Sequence, residues 1–94
     1  MEKIFEYELE LSGETSVQMP KDAEVLNVAW QCGKLKLFAI ADTTKQSELI
    51  VFEVIESGDV VKPLDWHFRI YRGTVAEETT AYHVFEHFAH EGEC

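Results

Sequence analysis

Basic residues are scarce in this chain. Eight Lys and Arg stand against eighteen Asp and Glu, for a formal net charge of −10 across 94 residues. That balance excludes a nucleic-acid-backbone binder, which needs clustered cations. It fits a basic partner, mimicry of a polyanion, or simple solvation of a small domain. There are two cysteines, Cys32 and Cys94, the second being the last residue. They make no disulfide framework in a reducing compartment, and Cys32 reads as a small core residue or part of a turn. No apolar run approaches the ~20 residues of a membrane span. The opening MEKIFEYELE is too acidic and too short of apolar residues for a signal peptide. The expected compartment is therefore the cytoplasm. Internal repeats and low-complexity tracts are also missing, as is any glycine-rich phosphate loop.

What is present is apolar and aromatic: 46% and 12% of residues respectively, too much for a disordered chain. A chain of this length is one domain, residues 1–94, with a modest core and roughly a third of its unfolded surface still exposed. Oligomerisation is the expected remedy.

The organising stretch is Ala23 to Asp42, AEVLNVAWQCGKLKLFAIAD. Two apolar runs meet at Cys32-Gly33-Lys34, where Gly33 supplies the backbone freedom for a reversal. On the first run Leu26, Val28, Trp30 and Cys32 share one face. On the second, Phe38 and Ile40 oppose Leu35, Leu37 and Ala39, so both faces are apolar and the strand is expected to be central. Before the hairpin, Lys3 to Leu11 alternates Phe5, Tyr7, Leu9 and Leu11 with Glu6, Glu8 and Glu10, a half-buried strand. Thr15 to Met19 is a short strand that Pro20 ends. After the hairpin, Glu48 to Glu56 is apolar on both faces, Ser57-Gly58-Asp59 is a turn, and Val60 and Val61 can rejoin the sheet before Pro63. Trp66 to Val75 alternates clearly. Thr80 to His90 fits a strand through about Phe85, with a possible helical turn after it. The sum is an all-β fold, an antiparallel sandwich or small barrel of six to seven strands with little or no helix.

Several of these residues carry a resemblance. Met19-Pro20, Ala23, Val25-Leu26-Asn27-Val28, Gln31, Gly33, Leu37-Phe38-Ala39 and Asp42 resemble a family of short bacteriophage proteins of uncharacterised function. The Ile4 to Leu11 strand, Arg72-Gly73-Thr74 and Tyr82-His83-Val84-Phe85-Glu86 are similar too. The family's Gly-Thr-Gly-His turn is replaced here by Glu56-Ser57-Gly58-Asp59. The resemblance implies a phage protein acting in the host cytoplasm, and it carries no catalytic residue.

The side chains suggest binding rather than catalysis. His83 and His87 would share a metal on a helix. On a strand they stand about 13 Å apart, so no metal and no cofactor is expected. Neither Cys32 nor a serine has a base that the sequence can place beside it, so no enzyme is expected. Arg69, Tyr71 and Arg72, with Trp66 and His67, combine an anion fork with aromatic plates. They are the candidate ligand-binding residues for a small nucleotide-type immune signal, held at or near a subunit interface of a homo-oligomer. The bland alternative is that both arginines pair with the abundant carboxylates. A second reading uses the row Glu6, Glu8 and Glu10, spaced about 6.6–6.8 Å on a strand, as an acidic decoy for a host defence protein. Its own alternative is a solvated face that discourages edge pairing. A third reading is an accessory phage protein without a ligand.

Overall fold

The computed structural model describes residues 1–64 and 67–89, with His67 and Ala89 by their backbone only. Seven antiparallel strands form where period-2 patterning placed them: β1 (Glu2–Leu9), β2 (Gly13–Pro20), β3 (Glu24–Gln31), β4 (Lys34–Asp42), β5 (Ser47–Glu56), β6 (His67–Glu77) and β7 (Thr80–Ala89). No helix occurs among the described residues. The strands divide into a three-stranded sheet, β1-β4-β3, and a four-stranded sheet, β2-β5-β7-β6. The Cα envelope measures 40 × 36 × 15 Å, two layers thick, since stacked sheets lie about 10 Å apart. The fold is an open sandwich, not a closed barrel.

The organising hairpin forms as its residues dictate. Cys32 (φ 55°) and Gly33 (φ 75°) are both left-handed, the backbone that a two-residue hairpin needs. Cys32 is exposed, so it belongs to the turn and not to the core. β4 lies between β1 and β3, and its inner residues Leu35, Leu37, Ala39 and Ala41 are all buried. Against them the opposite sheet sets Val17, Met19, Phe52, Val54, Val75 and Val84. Across the gap Trp30 stacks on Tyr82, ring centroids 5.8 Å apart and planes at 10°.

Three local expectations need correction. Leu26 does not share the face of Val28 and Trp30. The register of β3 shifts between Val25 and Asn27. That bulge puts Val25 in phase with Val28, while Leu26 is 47% exposed; an inserted residue reverses alternation on one side of itself. Val60 and Val61 do not rejoin a sheet: they are 82% and 56% exposed, outside any strand. β7 takes no helical turn before Ala89, because pairing with β6 continues through Phe68↔Phe88 and His67↔Ala89.

Strand direction decides which loops meet. β1, β3, β5 and β6 all run toward one end of the sandwich, and β2, β4 and β7 run away from it. The connections after β1, β3, β5 and β6 therefore share that end. At the other end Asp42 closes β4. Its Oδ1 accepts from the Thr44 N–H at 3.0 Å and the Thr44 hydroxyl at 2.7 Å, with the amino terminus at 3.2 Å. Those bonds, the Thr44 backbone first, hold its pKa down to about 2.

Candidate functional site

Arg69 and Arg72, three residues apart on one strand, are carried to opposite faces. A second register shift falls between Tyr71 and Gly73. Directly paired antiparallel residues share a face. Tyr71 pairs with Phe85 and Arg69 with His87, on the outer face. Past the bulge, Gly73 pairs with core residue Val84. Arg72 binds Glu86, Nη2 to Oε1 at 2.6 Å and Nε to Oε1 at 3.0 Å. Glu86 stands opposite the fully buried Phe52, so that ion pair lies on the inward side of the sheet.

On the outer face, Arg69 belongs to a polar cluster centred on Glu53. Arg69 Nε donates to Glu53 Oε1 at 2.8 Å, and its Nη2 donates to the Lys62 carbonyl at 2.8 Å. His87 Nε2 donates to the same Glu53 Oε1 at 2.7 Å. The Arg69, Glu53 and His87 side chains are all largely covered. Burial pushes the Glu53 pKa up, but the hydrogen bonds from Arg69 and His87 outweigh it, and the carboxyl lies below its ordinary range. The bond to Lys62 ties the segment after β5 over this face.

Of the five ligand residues expected from sequence, the structure brings only Arg69 and Tyr71 to one described face. Arg72 is on the other. His67 takes its place at the start of β6 by register, and Trp66 lies outside the described residues. Tyr71 is 57% exposed; its ring sits 5.6 Å from that of Phe85 and its hydroxyl hydrogen-bonds Thr74. That bond continues: Thr74 Oγ1 to His83 Nδ1 at 3.0 Å, then His83 Nε2 to Ser57 Oγ at 2.8 Å. His83 and His87 thus serve separate networks.

The acidic row also divides. Glu6 and Glu8 are on the outer face of β1, near Lys36 (3.6 Å) and Lys34 (3.4 Å). Glu10 lies beyond the strand, its N–H donating to Thr15 Oγ1. Other carboxylates gather instead. The shared loop end collects Glu10, Glu56, Asp59, Glu77 and Glu78, with Glu14 at the start of β2. Among the described residues, the first five have no cation at ion-pair distance. Beside them is a cleft of about 450 Å³, lined in part by Ser12, Gly13, Glu14, Glu53, Asp59 and Lys62. Sequence reasoning missed this convergence. Its members are scattered from 10 to 78, and only the strand directions bring them together.

The class is that of a small two-sheet antiparallel β-sandwich with a carboxylate-rich loop end. The chain belongs to the family described as a domain of unknown function, DUF7352, whose profile matches residues 1–93. No curated protein and no solved structure matches it.

Proposed function

We propose that this domain is a non-enzymatic binding module that docks its carboxylate-rich end on a basic surface of another protein. The observation that carries the reading is the convergence of Glu10, Glu56, Asp59, Glu77 and Glu78 on one end of the sandwich, none of them, among the described residues, with a cation at ion-pair distance. Carboxylates gathered at one end of the sandwich focus a negative field and steer a basic partner. The adjacent cleft of about 450 Å³, lined by Glu14 and Asp59 as well as Lys62, has the volume for a lysine or arginine side chain. The resemblance to phage proteins gives the partner its class: a host protein with a basic groove, bound as a counter-defence decoy in the host cytoplasm.

The test uses an octalysine peptide followed by fluorescence anisotropy. Binding is expected to weaken steeply between about 50 and 200 mM salt. Glu56→Gln, Glu77→Gln and Glu78→Gln together are expected to weaken it at least about tenfold. Glu2→Gln, Glu24→Gln and Glu48→Gln, which remove equal charge at other places, should leave it nearly unchanged. Equal losses from both triples would reduce the effect to net charge and remove the reading.

A nucleotide-type ligand remains a second reading, supported by Tyr71, exposed and backed by Phe85 as a stacking plate. Arg69, the arginine on that face, already holds a carboxylate, so such a ligand would have to displace Glu53. A thermal-shift series with cyclic and ADP-ribose-type nucleotides decides it: about 2.7 kcal/mol of stabilisation is expected at a hundredfold excess over the dissociation constant, and none if the reading is wrong.

A further inference from the structure

The outer face of β1-β4-β3 carries apolar side chains that a monomer leaves in water. Ile4 is 64% exposed and stands directly opposite Ile40. The β3 bulge turns Leu26 outward beside Asn27, which faces Phe38. Phe38 and Ile40 are half-buried. Neighbouring strands are about 4.8 Å apart, so these four groups form one continuous patch.

Part of the charge around the patch is matched within the chain. Glu6 has Lys36 at 3.6 Å, Glu8 has Lys34 at 3.4 Å, and Asp42 has the amino terminus at 3.2 Å. A chain of net charge −10 repels its own copies over most of its surface. Here three of its carboxylates, Glu6, Glu8 and Asp42, are locally matched around apolar groups that gain by leaving water, while Glu24 opposite Ile40 and Glu2 opposite Asp42 are left to repel. A basic foreign partner would find three of the five carboxylates already paired; a second copy would find an apolar surface like its own, with a residual repulsion that salt screens.

The area is sufficient. Three strands of eight to nine residues present about 400 Å² of projected face. Side-chain relief adds to that, so two copies bury on the order of 1,000 Å², the lower bound for a specific interface. We propose that this face is a homodimer interface, two copies packing outer face to outer face. The patch lies on the sheet face rather than at the acidic loop end, so this proposal and the binding reading fail independently.

Sedimentation equilibrium of the full chain tests it. A dimer is expected, and its dissociation constant should fall as salt rises from about 50 to 500 mM, because salt screens like charges. That trend is opposite to the one expected for octalysine. Ile4→Asp and Leu26→Asp should each raise the dissociation constant more than about tenfold with the β circular-dichroism spectrum intact. In the unsubstituted protein, concentration-dependent amide shifts should cluster at Ile4, Leu26, Phe38 and Ile40, a readout that needs no variant. A monomer at every concentration and salt, a dimer that survives both substitutions, or shifts clustered elsewhere would overturn the proposal.

Discussion

Glu53 is the residue on which the outer face of the larger sheet depends. One carboxylate receives both Arg69 and His87, and Arg69 also grips the Lys62 carbonyl. Glu53→Gln leaves the largely covered guanidinium without its counter-charge, and an expected loss of about 1–3 kcal/mol follows, read as a lower urea midpoint. The pH dependence has a definite sign. The folded pKa of Glu53 lies below its ordinary value, so its contribution is complete above the unfolded pKa of about 4.3. It is lost as pH falls through the lower folded value. Glu53→Gln should therefore flatten the acid limb of stability against pH; an acid limb identical to the parent's would show that Glu53 contributes nothing by ionisation. Little of this was legible in the sequence. That Arg69 and Arg72 pair with carboxylates was one open reading, but Glu53 itself sits in a strand apolar on both faces, and nothing local names its partner 16 residues away.

At the scale of the element, the two bulges decide what each strand presents. On β3 the bulge exposes Leu26; on β6 it brings Gly73 and Val75 to the inner face that Ile70 occupies before it. Gly73 shows why the second is built with glycine. Its φ is +153°, and a Cβ there would stand 2.7 Å from Val28 Cγ2, since β6 passes close over β3 at this point. Gly73→Ala should cost about 1–3 kcal/mol through overpacking and strain. Adding Val28→Ala should recover part of that loss, as coupled neighbours do. If the double variant is instead as unstable as the two losses summed, the close approach is not the cause. The sequence marked Gly73 within Arg72-Gly73-Thr74 as a shared feature, but alternation alone ran straight through both bulges. An inserted residue leaves no mark on composition, and its position depends on the partner strand.

For the whole molecule the governing quantities are thin layering and acidity. Two sheets give a core of one shared layer, and the charge of −10 acts against it through self-repulsion. Raising salt from about 20 to 300 mM should stabilise the fold by on the order of 1 kcal/mol, or about 4–8 °C in Tm. The measurement belongs at a low protein concentration, so that association does not contribute. A Tm that is flat or falls with salt would mean that the surface ion pairs outweigh the repulsion.

The sequence by itself determined that the chain is β, where most strands begin and end, and that Cys32-Gly33 turns the central hairpin. Those properties come from neighbours in the chain: period-2 patterning, turn residues and backbone freedom. Only the tertiary structure decided that β7 inserts between β5 and β6, that β1 and β2 part into different sheets, and that carboxylates from Glu10 to Glu78 share one end. A strand's pattern records which of its faces is dry; it does not record which strand lies beside it, and every charge partner, bulge and shared loop end here follows from that second choice.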